Sequence, residues 1–413
     1  MKLITLSSKE FDNFSKNHAL LTFHQKEYWG KLKEENGWKY DMLGLEDNDK
    51  IIAATLLLNK SLPFGLKMFY APRGYLLDFN DTKTLEIFTT ELKKYVKNRN
   101  GIFIKIDPYI IYKQRDINGN IVPNGIDNSK IVTSLKALGY NHYGFNLTMD
   151  KELQPRWMFK LNLDNKTEED LMKNMIKQTR KNVKKTLKLG LTLERIGIEG
   201  LSEYKKITQH TGTRRGFIDR PLSYYENMFK HLKDSIKIVL CYLEPNKSIS
   251  LLQNEIEQIK SYSDITEAKR KEIKELEAKI EDIKNVQQKY GDKICLAGSM
   301  FIECGSELLN LYGGGYDEFM RFNAMYAIQW HAIKYALNNN FKTYNFYGIE
   351  GNFNKENNPM YGVYEFKKGF GGEVVELIGE YDLVINKPKY ILYKTAFKTY
   401  KFVKNIKNKI RGK

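Results

Sequence analysis

Phe366 and Lys367 stand side by side in the run Tyr364-Glu365-Phe366-Lys367-Lys368-Gly369-Phe370-Gly371-Gly372. An aromatic ring beside an amine, on a glycine-rich approach, suits a site where a backbone must come close to a ligand. Asp107 ends the apolar run Gly101–Ile106 and precedes Pro108. Open α/β sheets keep their sites at strand ends, although a carboxylate before proline is also an ordinary strand terminator. Lys31 and Lys33 flank Leu32 near Trp29, in a short amphipathic segment that opens at Phe23-His24-Gln25 and ends at Trp38. Two amines beside an indole could meet a phosphate or form a solvated helix face. Thr167-Glu168-Glu169-Asp170 starts a helix that Gly190 closes. Its apolar face is Met172, Ile176, Val183 and Leu187, and Lys173, Lys177, Arg180, Lys181, Lys184 and Lys188 occupy a neighbouring sector about 100° wide. Cations in one stripe repel each other unless something anionic lies along them. A phosphate backbone fits that role, and a solvated face is the alternative.

Several chemistries are excluded. The sequence has no P-loop, no G-x-S-x-G elbow and no H-E-x-x-H pair. Its six histidines are scattered, and its three cysteines (Cys241, Cys295, Cys304) show no C-x-x-C spacing, so neither a metal site nor a disulfide framework is indicated. The pyrophosphate loop of an acetyl-CoA acyltransferase is missing: the nearest local match places Phe366 where Gln or Arg belongs. No cofactor is called for. The 413 residues carry 67 Lys and Arg against 50 acids, a net +17, which favours a polyanionic partner such as nucleic acid, phosphates or an anionic membrane face.

The elements that must position these residues form a pattern that occurs twice. Ile51–Leu58 and Lys67–Tyr70 lead through Ala71-Pro72-Arg73-Gly74 to a helical stretch, Thr82–Lys97, and then Gly101–Ile106. Ile294–Cys304 and Leu308–Tyr312 lead through Gly313-Gly314-Gly315 to a helical stretch, Arg321–Asn338, and then Thr343–Tyr347. Strand, strand, helix, strand in both places predicts two related mixed α/β domains. Met158–Leu163 alternates as a half-buried strand and links them. From Ser248 to Tyr290 there is no Gly or Pro. There Ile249, Leu252, Ile256 and Ile259, then Ile273, Leu276, Ile280, Ile283 and Val286, recur at helical spacing. An antiparallel helical hairpin, inserted in the second domain, is expected. The tail from Lys387 holds ten Lys or Arg and no acid, with Leu392, Ala396, Val403, Ile406 and Ile410 at helical spacing. It fits either a helix on an anionic membrane surface or a packed terminal helix. Met1–Leu6 is too short for a signal sequence and no stretch reaches membrane-spanning length, so a cytoplasmic protein is expected.

With these residues in view, the sequence resembles the Fem family of peptidoglycan-bridge aminoacyltransferases, which move amino acids from aminoacyl-tRNA to a muramyl-peptide precursor. The likeness is carried by Tyr70-Ala71-Pro72-Arg73-Gly74, Ile106-Asp107-Pro108-Tyr109, Thr179-Arg180-Lys181-Asn182 and Arg220 with Tyr224. Tyr312-Gly313-Gly314, Tyr344-Asn345-Phe346-Tyr347-Gly348 and Phe366-Lys367-Lys368-Gly369 complete it. The hairpin matches the subgroup resembling the staphylococcal bridge enzymes, in which a coiled-coil arm is proposed to help hold tRNA.

The resemblance implies two acetyltransferase-like domains, residues 1–153 and 154–386, the second interrupted by a coiled-coil hairpin at 246–291 and followed by a basic helix at 387–413. It implies that Lys31, Lys33, Arg220 and Tyr224 bind the phosphates and peptide of the acceptor, with Asp107 near the acceptor amine. Tyr312, Phe366 and Lys367 would frame the aminoacyl-tRNA end, and Lys177, Arg180, Lys181 and Lys184 would meet the tRNA backbone. Asp107, Phe366 and Lys367 become the expected catalytic set, with Lys367 facing the developing oxyanion. The implied partners are an aminoacyl-tRNA charged with Gly, Ala or Ser and lipid II or another muramyl-peptide precursor, with peripheral contact at the inner leaflet. A CoA-dependent acetyltransferase and a non-catalytic RNA- or membrane-binding protein remain as alternatives.

Overall fold

The computed structural model describes residues 1–411, with side chains through Thr399. Its strands are β1 (Lys2–Thr5), β2 (Lys39–Asp47), β3 (Lys50–Ser61), β4 (Lys67–Ala71), β5 (Gly101–Ile106), β6 (Ile111–Gln114), β7 (Tyr140–His142) and β8 (Trp157–Asn162). They continue as β9 (Thr192–Ile196), β10 (Ile236–Leu243), β11 (Ile294–Cys304), β12 (Glu307–Gly315), β13 (Thr343–Ile349), β14 (Glu373–Leu377) and β15 (Tyr381–Val384). Two compact units result. Unit 1 is Met1–Trp157, Glu350–Phe353 and Val374–Lys413; unit 2 is Met158–Ile349 and Asn354–Glu373.

In unit 1 the sheet order is β1-β2-β3-β4-β5-β15-β7. Residues Ala53–Asn59 of β3 are all buried, as a strand covered on both faces must be, and this is why its apolar run does not alternate. β3 pairs antiparallel with β4, and β4 pairs parallel with β5 after the helix Thr82–Lys97. Asp81 caps that helix by accepting from the Thr84 amide at 3.0 Å. Leu85, Phe88, Leu92 and Val96 recur at three and four and are buried on the sheet side, each contributing about 1.5–3 kcal/mol. At Gly101 a Cβ would stand 2.1 Å from Val96 Cγ1, so only glycine lets the chain re-enter the sheet there.

The segment from Val374 to Val384, expected in the second domain, belongs to unit 1. β15 inserts between β5 and β7, and β14 pairs with β6. Strand pairing this far apart in sequence leaves no local signal. Asp382 of β15 is fully buried beneath Lys105 (3.0 Å) and accepts from Tyr390 at 2.8 Å. Phe103 packs on Tyr390 and Tyr393, and together these contacts dock the start of the helix Lys387–Arg411. Leu392 and Ala396 point away from the unit, as a free apolar face requires. The side chains of Val403, Ile406 and Ile410 lie outside the described residues.

In unit 2 the order runs β8-β13-β12-β11-β10-β9. β11 and β12 are antiparallel and β12 and β13 parallel, joined through the helix Ala324–Asn338. This is the same strand, strand, helix, strand unit as in unit 1. The helix begins later than Arg321 because Asp317–Phe322 forms a 3-10 turn and Asn323 takes φ +60°. The hairpin is present as Pro245–Lys260 and Glu267–Tyr290, with Leu252, Ile256, Ile259, Ile273, Ile280, Ile283 and Val286 buried. Its base is held where Ser248 Oγ donates to the Leu189 carbonyl (2.7 Å) and where Asp282 accepts from Arg321 (2.9 Å).

The helix expected from Thr167 to Gly190 is two helices, Glu168–Asn174 and Lys177–Lys188. The break has a tertiary cause. The Ile176 amide donates to the Gly369 carbonyl at 2.9 Å instead of to its own helix. The expected apolar face is corrected accordingly: Thr179, Val183 and Thr186 are buried, whereas Ile176 and Leu187 are exposed.

Candidate active site

Lys367 lies near the end of the helix Tyr361–Lys368. Its Nζ donates to the Gly348 carbonyl at 2.6 Å and to the Tyr347 carbonyl at 3.2 Å. Two successive carbonyls can face one amine because Tyr347 sits at φ +65°, in the left-handed region that non-glycine residues seldom occupy. Buried Asn345 holds that turn by accepting from the Tyr347 amide at 2.8 Å. Asn345 in turn donates to Glu307 at 3.1 Å, and Glu307 pairs with Lys160 at 2.7 Å. Lys367 is partly buried, and this burial pushes its pKa down to about 7.

The Phe366 ring, partly exposed, meets Tyr326 edge-on at 4.9 Å and Phe370 at 5.5 Å, forming an aromatic wall beside Lys367. The glycines that follow serve the protein rather than a ligand, which corrects the reading of that stretch. A Cβ on Gly369 would be 2.0 Å from Thr179 Oγ1, and one on Gly372 would be 2.2 Å from the Lys160 carbonyl oxygen. The close backbone approach is how this segment packs on the helix Lys177–Lys188 and on β8.

Arg220, Tyr224 and Tyr312 come together in the same unit. The exposed Arg220 guanidinium lies 5.2 Å from the centre of the Tyr224 ring. The Tyr312 phenol accepts from Tyr224 and Arg220, and burial raises its pKa despite them. Burial also drives the Tyr224 hydroxyl upward, and the nearby phenols of Tyr312 and Tyr347 add to the shift. Tyr347, whose carbonyl holds Lys367, is close enough for its phenol to act electrostatically on Tyr224.

Unit 1 carries the remaining candidates. Asp107 is buried; it accepts from the Arg73 amide at 2.9 Å and pairs with the Arg73 guanidinium at 3.5 Å. Arg73 itself sits at φ +55° and donates to the Pro155 carbonyl at 2.7 Å. The two motifs around Tyr70 and Asp107 are thus locked to each other through Arg73. Burial raises the Asp107 carboxyl to about 6, with Arg73 pulling the other way. Trp29 and Leu32 are buried under the helix Glu27–Glu34, and the two lysines part company there. Lys31 is exposed and pairs with Glu27 at 3.2 Å. Lys33 lies 4.3 Å from the Trp29 ring centre and, with Arg73, adds to the effect of burial in lowering the pKa of His24. Lys33 and Arg73 thus act on the same buried imidazole.

Of the basic stripe in unit 2, Lys177, Lys181 and Lys184 are exposed, and Arg180 donates to the Lys173 carbonyl at 3.3 Å. Lys188 is withdrawn into ion pairs with Glu255 and Glu272 of the hairpin. No group of three or more His, Cys, Asp or Glu that could hold a metal occurs among the described residues. Sequence reasoning assigned no role to Asn345, Tyr347 or Tyr326. The one local signal was a polar Asn inside an otherwise apolar strand.

The FemAB family model matches residues 6–398. The chain belongs to the FemAB family. It is 34% identical over 421 residues to aminoacyltransferase FemA of Staphylococcus epidermidis, covering 97% of this chain and 100% of that one. It is 32% identical to aminoacyltransferase FemA of Staphylococcus aureus, covering 97% and 99%. The crystal structure of FemX superposes with a TM-score of 0.79 at 26% identity, covering 95% of this chain and 99% of that chain. As a member of the FemAB family, this chain is an aminoacyltransferase that works in building the peptidoglycan bridge.

Proposed function

We propose that this FemAB protein transfers glycine, alanine or serine from aminoacyl-tRNA to the stem-peptide amine of lipid II. The observation that carries the reading is the Lys367 amine, clamped by two carbonyls beside the Phe366 wall, in the same unit as the Arg220–Tyr224–Tyr312 cluster. The reaction is aminolysis of an ester. The acceptor amine, with a free pKa of about 10.4, attacks the carbonyl carbon while neutral; a C–N bond forms and the bond to the ribose oxygen breaks. The amine proton ends on the departing ribose oxygen, relayed by the vicinal hydroxyl. Protonated Lys367 has three N–H bonds, of which two meet the carbonyls, so one remains for the developing oxyanion.

Arg220 takes an acceptor phosphate, and Tyr224 and Tyr312 orient it. Asp107 is better suited to fixing Arg73 and its loop than to taking a proton from the amine, because its carboxylate is already committed to Arg73. The tRNA backbone lies along Lys177, Lys181 and Lys184. Residues 245–290 of the hairpin hold nine basic and nine acidic side chains, which suits a brace better than a polyanion-binding arm. Among the described residues no helix is long and apolar enough to cross a membrane. The basic C-terminal helix, with Ile391, Leu392 and Phe397 exposed, contacts the inner leaflet peripherally. Incubating the purified chain with glycyl-, alanyl- and seryl-tRNA and lipid II, with and without ribonuclease, tests the whole reading. Ribonuclease-sensitive labelling of lipid II by one of them is expected; no labelling from any of them would overturn it.

A further inference from the structure

The segment between the helices Leu201–Arg215 and Leu222–Leu232 has an apolar tip on a fixed base. Ile218 is 97% exposed and Phe217 52%. Single exposed apolar side chains are ordinary, but two in succession at the point of a loop are not. The loop is not exposed through slackness, because each side of the tip is pinned. On one side Gly216, at φ +74°, ends the helix and the Phe217 amide donates to the Gly212 carbonyl at 3.0 Å. On the other, Asp219 accepts from Tyr225 at 2.7 Å and from Thr208 at 2.8 Å, and pairs with Lys205. With Asp219 tied inward, Ile218 is held out into solvent, and Phe217 keeps half its surface exposed while one ring edge lies back toward Gly212. Arg215 and Arg220, both exposed, stand on either side of them.

We infer that this tip enters the surface of an anionic lipid bilayer, with Phe217 and Ile218 among the acyl chains and the two arginines at the phosphates. Apolar side chains ringed by cations match the layering of such a surface, apolar inside and negatively charged outside. An RNA partner would explain the arginines and a stacked Phe217, but the aliphatic Ile218, the more exposed of the two, has no ring face to offer a base. The spacing also fits. Arg220 is two residues from Ile218, a span of about 7 Å at full extension. This is the separation expected when one group meets a lipid-linked phosphate and the other the hydrocarbon beside it. This last point rests on the reading of Arg220 as an acceptor-phosphate residue; bilayer entry by itself does not.

The test uses the full chain and vesicles of phosphatidylcholine with phosphatidylglycerol, or phosphatidylcholine alone. An Ile218→Trp variant reports depth: its added emission should be quenched by lipids brominated on the acyl chain in the anionic vesicles. The double variant Phe217→Ser/Ile218→Ser should partition onto those vesicles about tenfold or more weakly, the scale set by losing two buried apolar side chains. It should keep transfer to a water-soluble muramyl pentapeptide and lose transfer to lipid II in vesicles. Vesicle-bound Ile218→Trp protein whose added indole emission is unquenched would overturn the inference, as would quenching by tRNA in place of lipid. Loss of transfer to the water-soluble acceptor in a folded double variant would make the loop part of the acceptor pocket instead, and also overturns it. If the parent chain transfers to no acceptor, the activity reading fails, while the quenching experiment still decides the loop.

Discussion

The Lys367 amine is held by two carbonyls with no carboxylate to offset its burial, and burial brings its pKa down to about 7. If the ammonium is the form that works, two ionisations of opposite sign shape the rate. The acceptor amine must lose its proton, with a pKa of about 10.4, and Lys367 must keep its own. The logarithm of kcat/KM should rise with unit slope below about pH 7, where only the first requirement bites, and level off above it, where the two cancel. Replacing Lys367 with Met should lower kcat by about 10²–10³-fold, the usual loss for one oxyanion donor, and leave acceptor affinity unchanged. Its residual rate should keep rising through pH 7 with no plateau; a plateau retained in the variant would assign the ionisation to another group. Asn345 acts one step back. Asn345→Leu removes the acceptor of the strained Tyr347 amide and should cost about 1–3 kcal/mol of stability, read as a lowered denaturant midpoint.

Elements meet tightly where the segment after Lys367 crosses β8 and the helix Lys177–Lys188. Gly372→Ala would drive a Cβ to within 2.2 Å of the Lys160 carbonyl, and backbone cannot swing aside as a side chain can. The cost expected is about 1–3 kcal/mol. Gly362, inside the helix Tyr361–Lys368 with nothing within 4 Å of an added methyl, is the opposite case. There Gly362→Ala should stabilise by about 0.5–1 kcal/mol through helix propensity alone. Thermal or urea unfolding of the pair checks both; equal effects would show that the close approach at Gly372 is relaxed in solution. The same crossing explains why one expected helix became two: the Gly369 carbonyl takes the Ile176 amide out of the helical ladder.

At the scale of the whole molecule, charge is distributed unevenly. The helix Lys177–Lys188 and the tail from Lys387 hold sixteen basic residues and no acid, against a net of +17 for the chain, while the hairpin is balanced. Salt dependence should therefore separate the two elements. Lys181→Ala should reduce the slope of log K against log salt for tRNA binding by about 0.9, as expected for one lost phosphate contact. Lys274→Ala on the hairpin should leave it unchanged, and an equal drop would return the hairpin to the tRNA interface. By itself the sequence determined the features that repeat over short distances. The doubled strand-strand-helix-strand unit, the hairpin and the helix Thr82–Lys97 were legible because their periodicity and caps lie within the element. The Phe366-Lys367 pair and Asp107 were visible as candidates for a related reason, since unusual neighbours in sequence stay neighbours in space. Tertiary structure alone decided that Lys33 lies over Trp29 while Lys31 pairs with Glu27, that β15 returns to the first sheet, and that Asp107 is bound to Arg73. It also decided that the Tyr347 and Gly348 carbonyls close on Lys367. Each of these joins groups distant along the chain, and the burial that shifts Lys367 and Asp107 exists only once those groups have met.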